Sequence, residues 1–170
     1  NLGDDSSLDG HLLPGLEPKG VPRNLKGTVL PFRYNHFEEL ESLVNQHPDI
    51  GVIITEVQRN EEPKNRFLEK IRDLATRKNI VLIFDECSSG FRETLGGLHK
   101  KYGVEPDMAL FGKALGNGYA IAAVIGRREI MEASQSSFIS STFWTERIGP
   151  VAGLKTLEVM EREKSWEQIT

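Results

Sequence analysis

The sequence predicts an α/β fold, a mostly parallel sheet with flanking helices, and two observations carry the prediction. "IGVIITE" (50–56) and "IVLIFDE" (80–86) are short, continuously apolar runs, as expected of strands buried on both faces. The segment between them, "EPKNRFLEKIRDLATRKN", places Phe67, Ile71, Leu74 and Ala75 at helical spacing. Strand, amphipathic helix and strand in succession are the pattern of a βαβ unit, so at least the central strands should be parallel.

The elements follow in chain order. Residues 1–26 are rich in Gly, Pro, Asp and Ser, show no sustained period and read as a loop-rich lead-in. "GTVLPF" (27–32) reads as a strand. "NHFEELESLVNQH" reads as a helix with Asn35 as its N-cap and Phe37, Leu40, Leu43 and Val44 on one face. The strand at 50–56 comes next, then a helix with Pro63 in its first turn, then the strand at 80–86. "GGLHKKYGVEPD" gives a short helix and turn, and "DMALFG" and "AIAAVIG" give two further strands. The region 27–145 is thus expected to form the central α/β portion. From about Glu146 to Glu163 the pattern is a long helix with Ile148, Val151, Leu154 and Leu157 at helical spacing, making 146–170 the lead toward a further, carboxyl-terminal domain. There is no internal repeat and no low-complexity tract.

Composition narrows the function classes. A chain of 170 residues with 38% hydrophobic and 27% charged residues can build one hydrophobic core. The net charge of -4 gives no reason to expect a nucleic-acid or acidic-membrane surface. No apolar run approaches the roughly 20 residues that span a bilayer. Cys87 is the single cysteine, which rules out an internal disulfide and suggests a reducing compartment, the cytoplasm. The chain begins with Asn1 and carries nothing like a signal peptide at its start, so it reads as a segment of a longer protein.

Two residues draw the chemistry. Asp85 closes the strand of "VLIFDECSSG", and Lys113 in "FGKALGNG" follows the strand "DMALFG". In open α/β sheets ligands sit beyond the carboxyl ends of strands, and a right-handed crossover would bring both residues to one edge. A lysine and a carboxylate facing one pocket can be a salt bridge, a metal or phosphate clamp, or the two poles of a pyridoxal phosphate site. In the last, the lysine bonds to the cofactor aldehyde and the aspartate pairs with the pyridine nitrogen. Such a lysine must be unprotonated part of the time, which apolar neighbours favour by desolvation. "MALF" and "AIAAVI" would supply them. A rival reading takes Asp85 and Glu86 as the magnesium-holding end of a nucleotide-hydrolase strand. It lacks the phosphate loop G-x-x-x-x-G-K-[ST], since Ala114 follows Lys113. His11, His36 and His47 have no metal-ligand spacing, Cys87 alone cannot build a zinc site, and His99 reads as a solvated or packing residue.

Several motifs in order, "VLIFDECSSGFR", "YGVEPDMALFGKALGNG", "GRREIMEA" and "SSTFWTERIGPVAGLKTLE", resemble class III aminotransferases of pyridoxal phosphate fold type I. The branch they resemble most contains glutamate-1-semialdehyde aminomutase, and the resemblance runs from about Gly20 onward. It implies the large domain of that fold, with pyridoxal 5'-phosphate as cofactor and small-molecule amine and oxo substrates. It implies that Lys113 is the Schiff-base lysine and general acid/base, and that Asp85 pairs with the pyridine nitrogen. Cys87 takes the place of an aliphatic residue against the cofactor ring. Thr142 matches the threonine that binds the cofactor phosphate of the neighbouring subunit, which implies a homodimer with a shared site, and Trp144 stands near that subunit boundary. Glu56 matches the acid of a Glu-Pro stretch near the substrate entrance, but Val57 replaces the proline and Arg59 a small residue. Ser88 and Ser89 suit a turn as well as a cofactor contact. The phosphate-cradling glycine turn and the aromatic that stacks on the cofactor would precede Asn1, so turnover by this segment alone is not expected. The alternatives are the magnesium-dependent hydrolase and a non-catalytic, dimerising relative.

Overall fold

The structure, a computed structural model, describes residues 20, 22–25, 27–143 and 145–169. Most of the 1–26 lead-in, with His11, lies outside them, as does Trp144. The chain divides into two units with the break between Ile50 and Gly51.

The first unit carries helix α1, Phe37–Gln46, with Leu40 and Val44 buried as the apolar spacing predicts. Its start differs from the expectation. Asn35 adopts a left-handed backbone, φ 65°, and His36 takes the N-cap position without a side-chain cap. Glu39 of the first turn reaches back instead and accepts from Arg33 Nε at 2.9 Å. The strand expected at 27–32 does not form: Pro31 has no N–H to donate, and the sheet holds no strand from this segment.

The second unit is built on four strands in the order β1-β2-β3-β4: Val52–Glu56, Val81–Asp85, Met108–Phe111 and Ala123–Gly126. The first three are parallel and β4 is antiparallel to β3. The α/β expectation thus holds, with an antiparallel strand closing one edge. Helix α2, Phe67–Lys78, connects β1 to β2 and buries Phe67, Leu68, Ile71, Leu74 and Ala75. It begins later than the sequence suggested, because Asn65 and Arg66 both have left-handed backbones and Pro63 falls ahead of the first turn. Helix α3, His99–Tyr102, lies between β2 and β3, and α4, Arg128–Met131, follows β4 with Arg127 as its N-cap.

Side chains alternate across the sheet. Ile53, Leu82, Phe84, Ala109 and Phe111 point to the buried face. Val52, Ile54 and Val124 point to the other, where each is about half exposed. The two parallel connections, β1 to β2 and β2 to β3, add strands in one direction, and crossovers of one hand then lie on the same side of the sheet and leave the opposite face bare. The apolar runs were expected to be buried on both faces; within this chain they are buried on one.

Asp107 ties the sheet to its helices. Its Oδ2 accepts from the backbone N–H of Leu82 at 2.8 Å and from Arg72 at 2.9 Å, and its Oδ1 accepts from Arg127 at 3.0 Å. Burial pushes this carboxyl up, but the Leu82 N–H and the two guanidinium groups outweigh it and hold it below the ordinary aspartate range.

Helix α5, Ile148–Glu163, is as long as expected but turns a different face inward. Gly149, Gly153 and Met160 are buried, whereas Ile148, Val151 and Leu154 are more than 60% exposed. Leu157 alone of the predicted stripe packs on the core, against the Ala109, Phe111 and Leu115 cluster. Lys164 leaves the helix with a left-handed backbone, and α6, Trp166–Ile169, follows.

Candidate active site

Parallel pairing levels the carboxyl ends of the strands. Glu56, Asp85 and Leu110 are successive partners across β1, β2 and β3. Asp85 is half-buried, and its Oδ1 accepts the Cys87 N–H at 2.9 Å. Among the described residues its Oδ2 has no hydrogen-bond partner, so one oxygen is left as an open acceptor at the edge of the sheet.

Lys113 is reached from Leu110 by Phe111 and Gly112. Its backbone lies in the left-handed region, φ 37°, which a side-chain-bearing residue occupies at a cost of about 1–3 kcal/mol. Its Nζ donates to Ser88 Oγ at 2.5 Å. The two candidate residues therefore meet through the turn after β2: Asp85 starts that turn and Ser88 within it receives the lysine. Gly112 allows the approach, since a Cβ there would lie 2.6 Å from Cys87 Sγ. Lys113 is exposed rather than sheltered among the apolar strands, because Gly112 carries the chain off the end of β3.

Glu86 follows Asp85 but faces the other side, as strand alternation demands. It is fully buried and accepts four hydrogen bonds. Oε1 takes the His99 N–H at 2.9 Å and His99 Nδ1 at 2.8 Å. Oε2 takes the Leu98 N–H at 3.0 Å and Ser89 Oγ at 2.5 Å. Burial pushes its carboxyl up, but the His99 ring, the Ser89 hydroxyl and the two backbone groups together hold it below the usual glutamate range. A carboxylate so engaged has nothing left for a metal, and Asp85 and Glu86 do not face a common ion. The magnesium reading of the pair loses its basis. Of the two readings of His99, solvated or packing, it is the buried one that the structure shows, with the ring also partnered to Glu86. Among the described residues no group of three or more His, Cys, Asp or Glu could hold a metal ion.

Glu56 Oε1 pairs with Arg59 at 3.2 Å, a partly exposed contact worth little, and its Oε2 is buried without a partner among the described residues. Thr142 is exposed, in the turn before α5, and no hydrogen bond among the described residues joins it to Asp85 or Lys113. Phe143, next in the chain, and Phe138, four residues before, are 75% and 97% exposed. A groove of about 790 Å³ lies between the segment after Lys113 and α5, lined by Ala114, Asn117, Tyr119, Val151 and Met160 among others; Lys113 and Asp85 do not line it. No described helix is long and apolar enough to cross a membrane.

Sequence reasoning missed Ser88 as the partner of Lys113 and Glu86 as the anchor of the turn. Strand alternation alone would have separated Glu86 from Asp85. Nothing in the spacing reveals the Ser88 contact.

Comparison with known proteins adds the following. The family model described as aminotransferase class-III matches residues 28–170. The 3-aminobutyryl-CoA aminotransferase of Cloacimonas acidaminovorans (strain Evry) is 41% identical over 153 residues, covering 85% of this chain and 37% of the relative. The fold matches that of the FumI protein of Sphingopyxis sp. MTA144, solved in its PLP internal aldimine form, with a TM-score of 0.72 at 25% identity over 76% of this chain and 33% of that one. It also matches an ornithine aminotransferase of Plasmodium yoelii, with a TM-score of 0.73 at 27% identity over 80% of this chain and 38% of that one. The chain spans between a third and two-fifths of the length of these relatives.

Proposed function

The chain belongs to the class III aminotransferases, and from that premise we propose that it carries the lysine and aspartate of a pyridoxal phosphate-dependent amino-transfer site. The observation that carries the proposal is the union of Asp85 and Lys113 through one turn, with an open carboxylate oxygen on the first and an accessible amine on the second. These groups fit the cofactor. Asp85 Oδ2 can accept an N–H from a pyridine ring, Lys113 Nζ can bond to an aldehyde, and Cys87, packed against Gly112, offers a soft apolar surface near them.

When bound, pyridoxal phosphate supplies an aldehyde that takes up amines and a ring that draws electrons from the substrate carbon. Asp85 Oδ2 would be the acceptor for the ring nitrogen's N–H. With the cofactor in place, Lys113 Nζ would be the group positioned to bond to its aldehyde and to hold or move a proton beside it. Ser88 Oγ holds that Nζ near the strand edge between steps. The substrates are a small-molecule amine and an oxo compound. A substrate carrying both groups can receive the amine back on its own skeleton, the mutase variant that resemblance to the glutamate-1-semialdehyde aminomutase branch supports. We assign Thr142 to the cofactor phosphate of a neighbouring subunit in a homodimer; the exposed rings of Phe138 and Phe143 in the same segment are the kind of surface a second protein covers. A reducing compartment such as the cytoplasm suits the thiol of Cys87.

The test is an absorbance spectrum with added pyridoxal phosphate, wild type against Lys113→Ala, followed by borohydride reduction and peptide mapping. An imine band in wild type alone, with the reduced adduct on Lys113, supports the reading. Its absence from the full-length protein as well overturns it.

A further inference from the structure

Glu86 is a buried ion that the amino-transfer chemistry does not use, yet it touches the turn on which that chemistry depends. Its backbone N–H donates to Leu110 O at 2.9 Å, joining the ends of the two strands that precede Asp85 and Lys113. Its backbone carbonyl accepts from Gly90 at 2.8 Å, and its Oε2 accepts from Ser89 Oγ. With Cys87 N–H bound to Asp85 Oδ1, the turn is fastened at Cys87, Ser89 and Gly90, and Ser88 between them has its carbonyl held by Arg92 Nε at 2.7 Å. The far side of the carboxylate is fastened too. Leu98 and His99 N–H groups and His99 Nδ1 hold it, and Gly97 leaves room for them, since a Cβ there would lie 2.9 Å from Glu86 Oε1 and 2.3 Å from the His99 ring. A carboxylate with four donors around it cannot swing, and neither can a hydroxyl bonded to it.

We propose that Glu86 is a positioning residue: through Ser89 it fixes the turn that places Ser88 Oγ against Lys113 Nζ, and so sets where the lysine amine rests. The reading of Lys113 as the cofactor lysine gives this its purpose, but the placement concerns Lys113 itself and is measured without cofactor.

The experiment is competitive acetylation of the cofactor-free protein with acetic anhydride at pH 8, with peptide mapping of Lys113 and, as an internal reference, Lys155. Wild type is compared with Ser88→Ala, Ser89→Ala and Glu86→Gln. Losing one hydrogen bond from the amine should speed acetylation of Lys113 about three- to tenfold. That increase is expected in Ser88→Ala and again in Ser89→Ala, which cuts the link while leaving the Leu98 and His99 bonds of Glu86 in place. Lys155, paired with Glu158, should keep its rate. A merely structural Glu86 would leave Lys113 in Ser89→Ala at the wild-type rate while Ser88→Ala rises, and that overturns the proposal. Equal rates in wild type and Ser88→Ala overturn it as well. If Glu86→Gln does not fold, Ser89→Ala still decides. A protein that fails to form the reducible adduct refutes the amino-transfer reading and leaves this result standing.

Discussion

Replacing Asp107 should separate the value of a hydrogen-bond acceptor from the value of its charge. In Asp107→Ala the Leu82 N–H, buried inside β2, loses its acceptor, at a cost of about 1–3 kcal/mol. Arg72 is only 21% exposed and loses its carboxylate partner, which adds about 1 kcal/mol; Arg127, 60% exposed, adds little. The sum is about 3 kcal/mol, a large share of the roughly 5–15 kcal/mol of a typical domain. Asp107→Asn is different, because its carbonyl oxygen can keep the Oδ2 position, serving both Leu82 and Arg72, with the amide nitrogen turned toward exposed Arg127. About 1 kcal/mol should go. Urea unfolding followed by far-UV circular dichroism measures both losses by linear extrapolation. If the Asn variant is as damaged as the Ala variant, or if Ala costs less than about 1 kcal/mol, the assignment of the stabilisation to the Leu82 and Arg72 bonds is wrong.

Three further outcomes follow from the same geometry. Asp107 and Glu86 are both held below their ordinary ranges, so protons prefer the unfolded chain; their contribution is complete above about pH 5 and is lost as pH falls through the folded values, and in urea titrations between pH 6 and pH 3 Glu86→Gln should flatten part of that decline. Gly112→Ala should lower the melting temperature by pressing on Cys87 Sγ, and Cys87→Gly in the same chain should restore most of the loss, a coupling read from the double-mutant cycle. Thr142→Ala should weaken pyridoxal phosphate binding about tenfold in the full-length protein while urea stability stays within about 0.5 kcal/mol, because the side chain is exposed.

The strands and helices that carry the sheet were legible because their signal is burial, and burial writes a period. The runs at 50–56 and 80–86 and the spacing of Phe67, Ile71, Leu74 and Ala75 report which side chains leave water. Element starts were less legible. Asn35, Asn65 and Arg66 take left-handed backbones that no apolar period announces, and each moves a helix start toward the carboxyl end. The stripe on α5 misled because Gly149 and Gly153, with no apolar side chain to count, form the buried face. At the site, Asp85 and Lys113 could be placed on one edge from strand ends alone. The serine that receives Lys113 could not, since hydrogen bonds between loops leave no periodic trace.

The order of the strands also bears on how the sheet comes into being. Among the described residues each strand pairs with the one made just before it. As the polypeptide leaves the ribosome, β2 can zip onto β1, β3 onto β2, and β4 can fold back on β3 through a short connection, each closing only a local loop. The turn that carries Ser88, and the Leu98 and His99 groups that hold Glu86, are all made before Lys113.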